Sequence, residues 1–295
     1  MNKSYSLKEY IEIINNYLDT AVVECDFGED IVHKAMNYSL GIGGKRIRPL
    51  LTLEFCRLCG GDIYKALPFA AAIEMIHTYS LIHDDLPCMD DDDMRRGMPS
   101  CHKKFGEEYA LLAGDGLLTR AFGIIAESEL ASASPVRAVE AVKELSQLAG
   151  ANGMIGGQVV DLRNEDKPCT IDVLRTMDSL KTGALIKCAS LLGVIAAGGT
   201  SEEKEAAIAF SENLGHAFQI VDDILDVIGD EKELGKPVGS DANSNKSTYV
   251  SILGIDESKK RAGELTANAI ESLEIFGSQG DFLRDLATSL ISRKN

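Results

Sequence analysis

The amino-acid sequence predicts an all-α protein, and three observations support this class. Apolar residues recur at three- and four-residue steps through most of the 295 residues, which is the period of a helix with one buried face. Segments with the two-residue alternation of a half-buried strand are scarce, and seven prolines are few for a chain of this length. Hydrophobic residues make up 45% of the chain, so a sizeable core can be buried.

The helical pattern divides into ten stretches, several of which are separated by glycine pairs such as Gly60–Gly61 and Gly198–Gly199. The predicted helices are 6–24, 28–39, 48–60, 64–86, 105–130, 135–150, 171–196, 202–229, 256–276 and 280–293. We see no repeat of fixed period and no Ser/Pro-rich linker. We therefore expect a single domain over residues 1–295, with central helices that are apolar nearly all round.

Charge and cysteine usage restrict the class of partner and the compartment. The net charge of −16 argues against a nucleic-acid backbone or an anionic lipid surface as the main partner. The N-terminus has no secretory signal, and the weakly polar stretch near Cys188–Thr200 is too short to predict a membrane span. Seven cysteines without framework spacing indicate reduced thiols in the cytoplasm. Cys56 and Cys59 form a lone CxxC in an apolar helical pattern, which disfavours a zinc site.

A first acidic cluster follows the predicted helix 64–86. Six aspartates occur within the ten positions 84–93, at a helix C-terminus, where negative charge is unfavourable unless something compensates it. Pro87 removes a backbone donor and should loosen the last turn. A loosened turn would bring Asp90 beside Asp84, which a straight helix would not do at a spacing of six.

A second acidic cluster lies inside an apolar helical pattern, in the sequence FQIVDDILD. Gln219, Asp222 or Asp223, and Asp226 follow an i, i+3/4, i+7 row on one helix face. Either cluster alone is compatible with a solvated acidic turn or helix end. Two such clusters among apolar residues are not, because buried carboxylates are costly unless they are paired or bound to metal. Oxygen ligands without a Cys/His set favour Mg²⁺.

Basic residues occur beside both acidic clusters in this acidic chain. Lys45 and Arg48 are three residues apart and can share a helix face, whereas Arg46 points elsewhere and is expected to be structural. Such cations suit phosphate groups. The remaining candidates are Arg95, Arg96, Lys181, Lys236 and, on the same helix face as Asp84, His77. A surface role for any one of these cations, or a core role for His77, remains open.

Six motifs occur in order from about residue 43 to residue 241: GGKRIRP, LIHDDLPCMDDDDMRRG, GGQVVDL, KTG, FQIVDDILD and GKPVGSD. In this order they resemble the trans-polyprenyl (isoprenyl) diphosphate synthase family, and within it the bacterial farnesyl diphosphate synthases. The resemblance implies an all-α barrel of antiparallel helices around a central cavity, usually a homodimer. It also implies Mg²⁺-dependent condensation of isopentenyl diphosphate with dimethylallyl or geranyl diphosphate.

The resemblance carries over to individual residues. Asp84, Asp85 and Asp90 are similar to the first aspartate-rich motif, and Asp222, Asp223 and Asp226 to the second; together these would hold three Mg²⁺ ions. The residues similar to those that bind isopentenyl diphosphate are Lys45, Arg48, His77 and Arg96. Those similar to the allylic side are Arg95, Lys181, Thr182, Gln219 and Lys236. Among these residues, Asp84, Asp85, Asp90, Lys181 and Asp222 are the candidates for catalysis.

Product length is expected to depend on Tyr79 and Ser80, which lie five and four residues before Asp84. Tyr79 would lie roughly 7–8 Å along the helix from the metal site, and in the family a bulky residue here limits the product to farnesyl diphosphate. Core packing is the alternative role for its ring.

Other functions remain open at this point. A geranylgeranyl or geranyl diphosphate synthase would use the same chemistry, and an inactive regulatory subunit would normally lack one aspartate motif. A class I terpene cyclase would carry a different second metal motif. An HD-type phosphohydrolase would use His83 and Asp84 with further histidines, but the chain has only five.

Overall fold

The computed structural model describes residues 4–22, 30–165, 167–228 and 247–292, and the predicted all-α class is confirmed. The helices are α1 Leu7–Ala21, α2 Ile31–Gly41, α3 Ile47–Leu58, α4 Ile63–Asp84, α5 Cys101–Phe105, α6 Glu107–Ala126, α7 Glu129–Ala133, α8 Pro135–Ala149, α9 Met154–Asn164, α10 Ile171–Asp178, α11 Ala184–Ala197, α12 Ser201–Ile228, α13 Tyr249–Leu253, α14 Ile255–Glu271 and α15 Asp281–Ser292. A π-helical turn, Ser179–Gly183, joins α10 to α11, and a 3₁₀ segment, Glu274–Gly280, precedes α15.

The chain forms two compact units, which are described separately. Unit 1 comprises residues 1–144 and 192–199, and unit 2 comprises residues 145–191 and 200–295. That the whole chain is a single domain stays a prediction.

In unit 1, α4 is the central helix and packs along α6 and α3. Asp62 caps its N-terminus by accepting a hydrogen bond from the Tyr64 amide at 2.9 Å. From Ala66 to Ile76 every residue of α4 is buried, which confirms a central helix without a solvent face. The last two turns differ, because they carry the polar residues that the first acidic cluster continues.

Close packing in unit 1 depends on a glycine of α11. A Cβ atom at Gly193 would lie 2.2 Å from the Thr52 carbonyl oxygen and 3.0 Å from the Cys56 amide nitrogen, both on α3. The backbones of α11 and α3 are therefore too close at this point to leave room even for the methyl side chain of alanine. Cys56 itself is buried, and burial raises the pKa of its thiol to about 12, which disfavours the thiolate that a zinc site would need.

Unit 2 is built on α12, which packs along α14. Its apolar side chains form a buried cluster with residues of α10, α13 and α14: Leu174, Ile220, Val221, Ile224, Leu225, Tyr249 and Ala262. The second acidic cluster therefore lies on a helix with a largely buried face, as predicted.

Several predicted boundaries are wrong, and each has a local cause. The stretch 105–130 is interrupted after Ala126, because Ser128 caps the new helix α7 through the Ala131 amide at 3.1 Å. The stretch 64–86 ends at Asp84, where the chain turns. The stretch 171–196 contains the π-helical turn. Helix α9 was missed, because four glycines between residues 150 and 157 obscure its helical period.

Two helical segments are long and apolar enough to cross a membrane by length and composition alone: Glu107–Ala126 and Ile171–Ala197. The second segment is longer than the weakly polar stretch near Cys188–Thr200 that the sequence indicates, because the π-helical turn continues α10 into α11. Core helices of soluble proteins pass the same test, and 67% of the apolar window of the second segment is buried. The evidence for a membrane span is therefore weak.

The contact at Gly193 gives a prediction about stability. We expect Gly193→Ala to lower the free energy of unfolding by about 1–3 kcal/mol, because the added methyl group would meet backbone atoms of α3 and cannot be accommodated without moving a helix. Urea denaturation measures the effect. Gly263→Ala is the matched control, since nothing lies within 4 Å of its Cβ position in α14, and it should stabilise by about 0.4–1 kcal/mol. Equal effects of the two variants would contradict the proposed close packing.

Candidate active site

The first acidic cluster folds back on the end of α4. The Asp90 amide donates a hydrogen bond to the Asp84 carbonyl oxygen at 2.9 Å, and the Met89 and Asp91 amides donate to the Leu86 carbonyl oxygen at 2.8 and 3.2 Å. These bonds close a compact turn around Pro87. The prediction that a loosened turn brings Asp90 beside Asp84 is confirmed at the level of the backbone.

Asp85 has a different environment from its two neighbours in the motif. Its carboxylate is buried and accepts hydrogen bonds from Arg95 Nε, at 3.0 and 3.2 Å, and from Arg95 Nη2. Arg95 Nη2 also contacts Asp92 at 3.2 Å. Burial raises the pKa of the Asp85 carboxyl against the opposing effect of Arg95. Asp85, predicted as a metal ligand, here holds the guanidinium of a predicted substrate residue.

A short hairpin carries Arg95 and Arg96. Strand β1 (Met94–Arg95) pairs antiparallel with β2 (Met98–Pro99). Arg96, at the turn, has a φ of 52°, and its Nη1 donates to the Gly43 carbonyl oxygen. A Cβ atom at Gly44 would lie 2.5 Å from the Arg96 guanidinium carbon. A side chain at position 44 would therefore displace the Arg96 guanidinium from its contact with this loop.

Positive charge accumulates around Arg48 and His77, on neighbouring helices of unit 1. Nε of Arg48 is buried and has no hydrogen-bond partner among the residues that the structure describes. Burial lowers the pKa of His77 well below its usual 6.5, and the nearby Arg48 and Arg96 lower it further. His77 is therefore neutral at neutral pH, beside cations that Glu74 only partly offsets. Such a group of donors suits an anion.

Arg46 lies between the two candidate cations and has a structural role, as predicted. Its buried guanidinium forms an ion pair with Glu74 at 2.6 Å and also binds Asn15 and the Leu40 carbonyl oxygen, at 3.0 and 2.6 Å. Its φ of 50° turns the chain into α3. Lys45, the preceding residue, is exposed.

The second acidic cluster lies on α12 in unit 2. Asp223 is buried and accepts hydrogen bonds from the Tyr249 amide at 2.7 Å and from the Gln219 side chain at 3.3 Å. The predicted helical row of Gln219 with the aspartates is thereby confirmed. Asp226 is also buried, and Asp222 is half-buried. Asp223 thus anchors α13 to α12, whereas Asp222 and Asp226 lie one helical turn apart.

Lys181 lies in the π-helical turn, a feature that is frequent at functional sites. Its Nζ donates to Asp161 Oδ2 on α9. A Cβ atom at Gly157 would lie 2.2 Å from the Lys181 amide nitrogen, so this glycine allows α9 to reach the turn. The motif GGQVVDL contributes to the family resemblance, but the sequence alone did not identify Asp161 within it as a site residue. Its signal was a carboxylate in a motif that otherwise holds small, apolar and amide residues.

Asp178, one turn before Lys181, was also missed. Its carboxyl is buried, with Oδ2 lacking a hydrogen-bond partner among the described residues. Burial raises the pKa of this carboxyl to about 8, and the charge of Asp223 adds to the effect, while a hydrogen bond with Tyr249 opposes it. Unit 2 therefore contains a carboxyl that is largely protonated at neutral pH next to the second acidic cluster.

Tyr79 and Ser80, the predicted chain-length residues, have unlike environments. Tyr79 is buried, its ring packs edge-on against His83 with centroids 5.6 Å apart, and its hydroxyl has no hydrogen-bond partner among the described residues. Ser80 donates a hydrogen bond to the His77 carbonyl oxygen at 3.0 Å within its own helix. The predicted Lys236 and the motif GKPVGSD lie outside the described residues.

Comparisons with known proteins show which family the chain resembles. The polyprenyl synthetase family matches residues 29–277. The chain is 45% identical to the heterodimeric geranylgeranyl pyrophosphate synthase large subunit 1 of Arabidopsis thaliana, over 93% of this chain and 76% of that protein. It is 42% identical to farnesyl diphosphate synthase of Bacillus subtilis, over 95% and 94%. The crystal structure of an FPP/GFPP synthase from Zymomonas mobilis superposes with a TM-score of 0.86 at 34% identity, covering 97% of both chains.

The buried carboxyl of Asp178 gives a prediction about pH. Its pKa is about 8 in the folded chain and 3.8 as the ordinary value, so the folded state binds more protons between these values and stability falls as pH rises through them. We expect Asp178→Asn to remove this pH-dependent loss of stability, so that the free energies of unfolding of the variant and the wild type differ by a few kcal/mol more at about pH 8 than at low pH. Urea denaturation at several pH values measures it. Asp172→Asn, on the exposed side of the same helix, is the control. Parallel pH profiles for wild type and Asp178→Asn would contradict the prediction.

Proposed function

The chain belongs to the polyprenyl synthetase family, and we propose that it is a magnesium-dependent prenyltransferase that makes farnesyl diphosphate. In this reaction isopentenyl diphosphate condenses head-to-tail with dimethylallyl diphosphate and then with geranyl diphosphate, releasing diphosphate. The observation that carries the proposal is the grouping of Arg48, Arg96 and neutral His77 in unit 1 of a chain whose net charge is −16. A basic group that nearby carboxylates only partly offset, in an acidic protein, supports a site for an anion.

The acidic residues fit Mg²⁺. Asp84 and Asp90 are adjacent at the end of α4, and Asp222 and Asp226 are one turn apart on α12. All four offer oxygen atoms, the ligands that Mg²⁺ prefers. We propose these four as ligands, with Asp85 and Asp223 acting partly through Arg95 and Tyr249, which they bind. Bound Mg²⁺, three ions by family resemblance, would stabilise the charge that develops on the leaving diphosphate.

The side chains of unit 1 suit the diphosphate of isopentenyl diphosphate. Arg48 and Arg96 would supply charged donors, Lys45 a flexible point charge and His77 a neutral N–H donor. Arg48 already carries the cost of burying an unpartnered Nε, so an anion would restore the missing hydrogen bond. Because His77 is neutral, its donor contact would not vary with pH near neutrality.

The allylic diphosphate is assigned to Arg95, Lys181, Thr182, Gln219 and Lys236. Arg95 and Lys181 are already oriented by Asp85 and Asp161, so little side-chain freedom would be lost on binding. As the allylic C–O bond breaks, its electron pair leaves with the diphosphate. The double bond of isopentenyl diphosphate then attacks the cationic carbon, and a proton is lost to the released diphosphate. The apolar neighbours of both acidic clusters, among them Ile82 and Ile224, exclude the water that would trap the cation.

Tyr79 supports farnesyl diphosphate as the product. The residue is buried, and its hydroxyl has no hydrogen-bond partner among the described residues, so the bulk of the ring, which a surface that ends a prenyl chain would need, is its main contribution. Geranylgeranyl diphosphate is the second candidate, because relatives named for that product are up to 45% identical. Product analysis of the wild-type enzyme decides between the two.

The compartment and assembly are also proposals. A cytoplasmic location is supported by Cys88 and Cys169, which form no disulfide among the described residues. A homodimer is supported by the exposed side chains of Leu111 and Leu112 on α6, which a second copy would cover. The net charge continues to argue against nucleic acid as a partner.

If the aspartates of the two acidic clusters bind the metal, replacing one of them should reduce catalysis without unfolding the protein. We expect Asp84→Asn and Asp222→Asn each to lower kcat/KM by about 10²–10³-fold, because each removes a charged ligand from the leaving-group site. Condensation assays with isopentenyl and geranyl diphosphate, with and without a chelator, measure the effect, and circular dichroism checks the fold. Asp256→Asn, in the first turn of α14, is the control. Activity that survives the chelator would refute the metal role.

If the ring of Tyr79 limits the length of the product, two substitutions of this residue should have different effects. Tyr79→Ala should shift the product from farnesyl to longer diphosphates, because it removes the bulk of the ring, whereas Tyr79→Phe should keep farnesyl diphosphate and lose little stability, since the hydroxyl has no partner in the described structure. Chromatography of the dephosphorylated products distinguishes these. If both variants make the wild-type product, Tyr79 does not limit the chain.

A further inference from the structure

Three potential metal ligands lie beside the proposed catalytic residues but have no part in the proposed function. Asp91, Asp93 and His102 each offer one ligand atom, and these atoms lie within 4.8 Å of one another in unit 1. The carboxylates are exposed and the imidazole is buried. Acidic surface groups alone would not indicate a site, so the histidine is the informative member.

His102 is 8% exposed, and its Nε2 is buried without a hydrogen-bond partner among the residues that the structure describes. The nearest acidic atom, Asp91 Oδ1, is 3.8 Å away, beyond hydrogen-bond distance. The other ring nitrogen, Nδ1, lies 3.1 Å from Ser100 Oγ. When Nδ1–H donates to this oxygen, the lone pair of Nε2 faces the carboxylates. A hydrogen bond of this kind fixes the tautomer of a metal-binding histidine.

The backbone of the hairpin brings Asp93 and His102 together. The hairpin β1–β2 pairs Met94 with Pro99, and the Ser100 amide donates to the Asp93 carbonyl oxygen at 2.9 Å. Asp93 and His102 are therefore close because of the hairpin register, although they are nine positions apart.

Lys103 occupies the position of a counter-ion. Its Nζ lies 2.7 Å from Asp93 Oδ1 and 4.0 Å from Asp91 Oδ1. The side chain is 42% exposed, so it can move into solvent at little cost. A divalent cation would replace one positive charge by two, opposite two carboxylates.

We propose that Asp91, Asp93 and His102 form a binding site for a divalent transition-metal ion of the Zn²⁺ or Co²⁺ type. Imidazole nitrogen with carboxylate oxygen suits these ions better than Mg²⁺. Bonds of ~2.0–2.1 Å in tetrahedral geometry place ligand atoms about 3.3 Å apart, so the exposed carboxylates need only rotate inward. Water would complete the coordination.

The site shares the loop of the proposed magnesium ligands but none of their side chains. An ion bound there would fix the loop between Asp91 and His102, which carries Arg95 and Arg96. The proposal does not depend on the prenyltransferase reaction, and its test uses binding rather than activity.

The test is a titration of the full-length protein with Co²⁺, followed by visible absorption, in excess Mg²⁺ that occupies oxygen-only sites. We expect the protein to bind one Co²⁺ ion, which Zn²⁺ displaces and excess Mg²⁺ does not. His102→Gln should weaken binding at least about tenfold, as expected for the loss of a ligand. Lys103→Met should tighten binding several-fold, because the competing ammonium is removed.

Two control variants separate the site from surface binding. His33→Asn removes a histidine that lies beside the single carboxylate of Asp30, and Lys104→Met removes the neighbouring lysine, which packs on Tyr38 instead. Both should leave Co²⁺ affinity unchanged. If His102→Gln does not fold, Lys103→Met decides alone. The proposal is wrong if no Mg²⁺-resistant Co²⁺ binds, or if Lys103→Met binds Co²⁺ as wild type does.

Discussion

The buried guanidinium of Arg46 is the interaction on which the rest of unit 1 depends. It binds Glu74 on α4, Asn15 on α1 and the last turn of α2, while its own backbone begins α3. Removing one partner of a buried ion pair leaves a charge that costs about 3–5 kcal/mol, so these four helices are held in one arrangement. Because Lys45 and Arg48 are close to Arg46 in the sequence, the same interaction helps to fix where these two proposed substrate-binding residues lie.

Local features of the site could be predicted from the sequence because short-range geometry determines them. Pro87 indicated that Asp90 would return to Asp84, and helical spacing indicated the contact between Gln219 and Asp223; both are confirmed. The structural role of Arg46 followed from its position between two residues that share a face. In each case the partners are within seven residues, or helix geometry alone decides the direction of the side chain.

The remaining features could not be predicted, because they join distant segments. Asp161 meets Lys181 across two helices, and nothing in either segment specifies that pairing. The protonated carboxyl of Asp178 depends on burial by α12 and α13, which the sequence of α10 does not reveal. Helix α9 was hidden by glycines, although one of them, Gly157, is the residue that lets the helix reach Lys181.

Each unit keeps one buried or half-buried carboxylate in an ion pair with a proposed substrate-binding cation: Asp85 with Arg95, and Asp161 with Lys181. Each pair is neutral, so an acidic chain can hold these cations in place without ligand. A diphosphate together with Mg²⁺ adds opposite charges, so cation and carboxylate could each gain a new partner without leaving a buried charge uncompensated. Binding of the diphosphate without the metal would not balance the charges in this way. If these cations bind the diphosphate as proposed, the ion pairs favour its binding together with the metal over its binding alone.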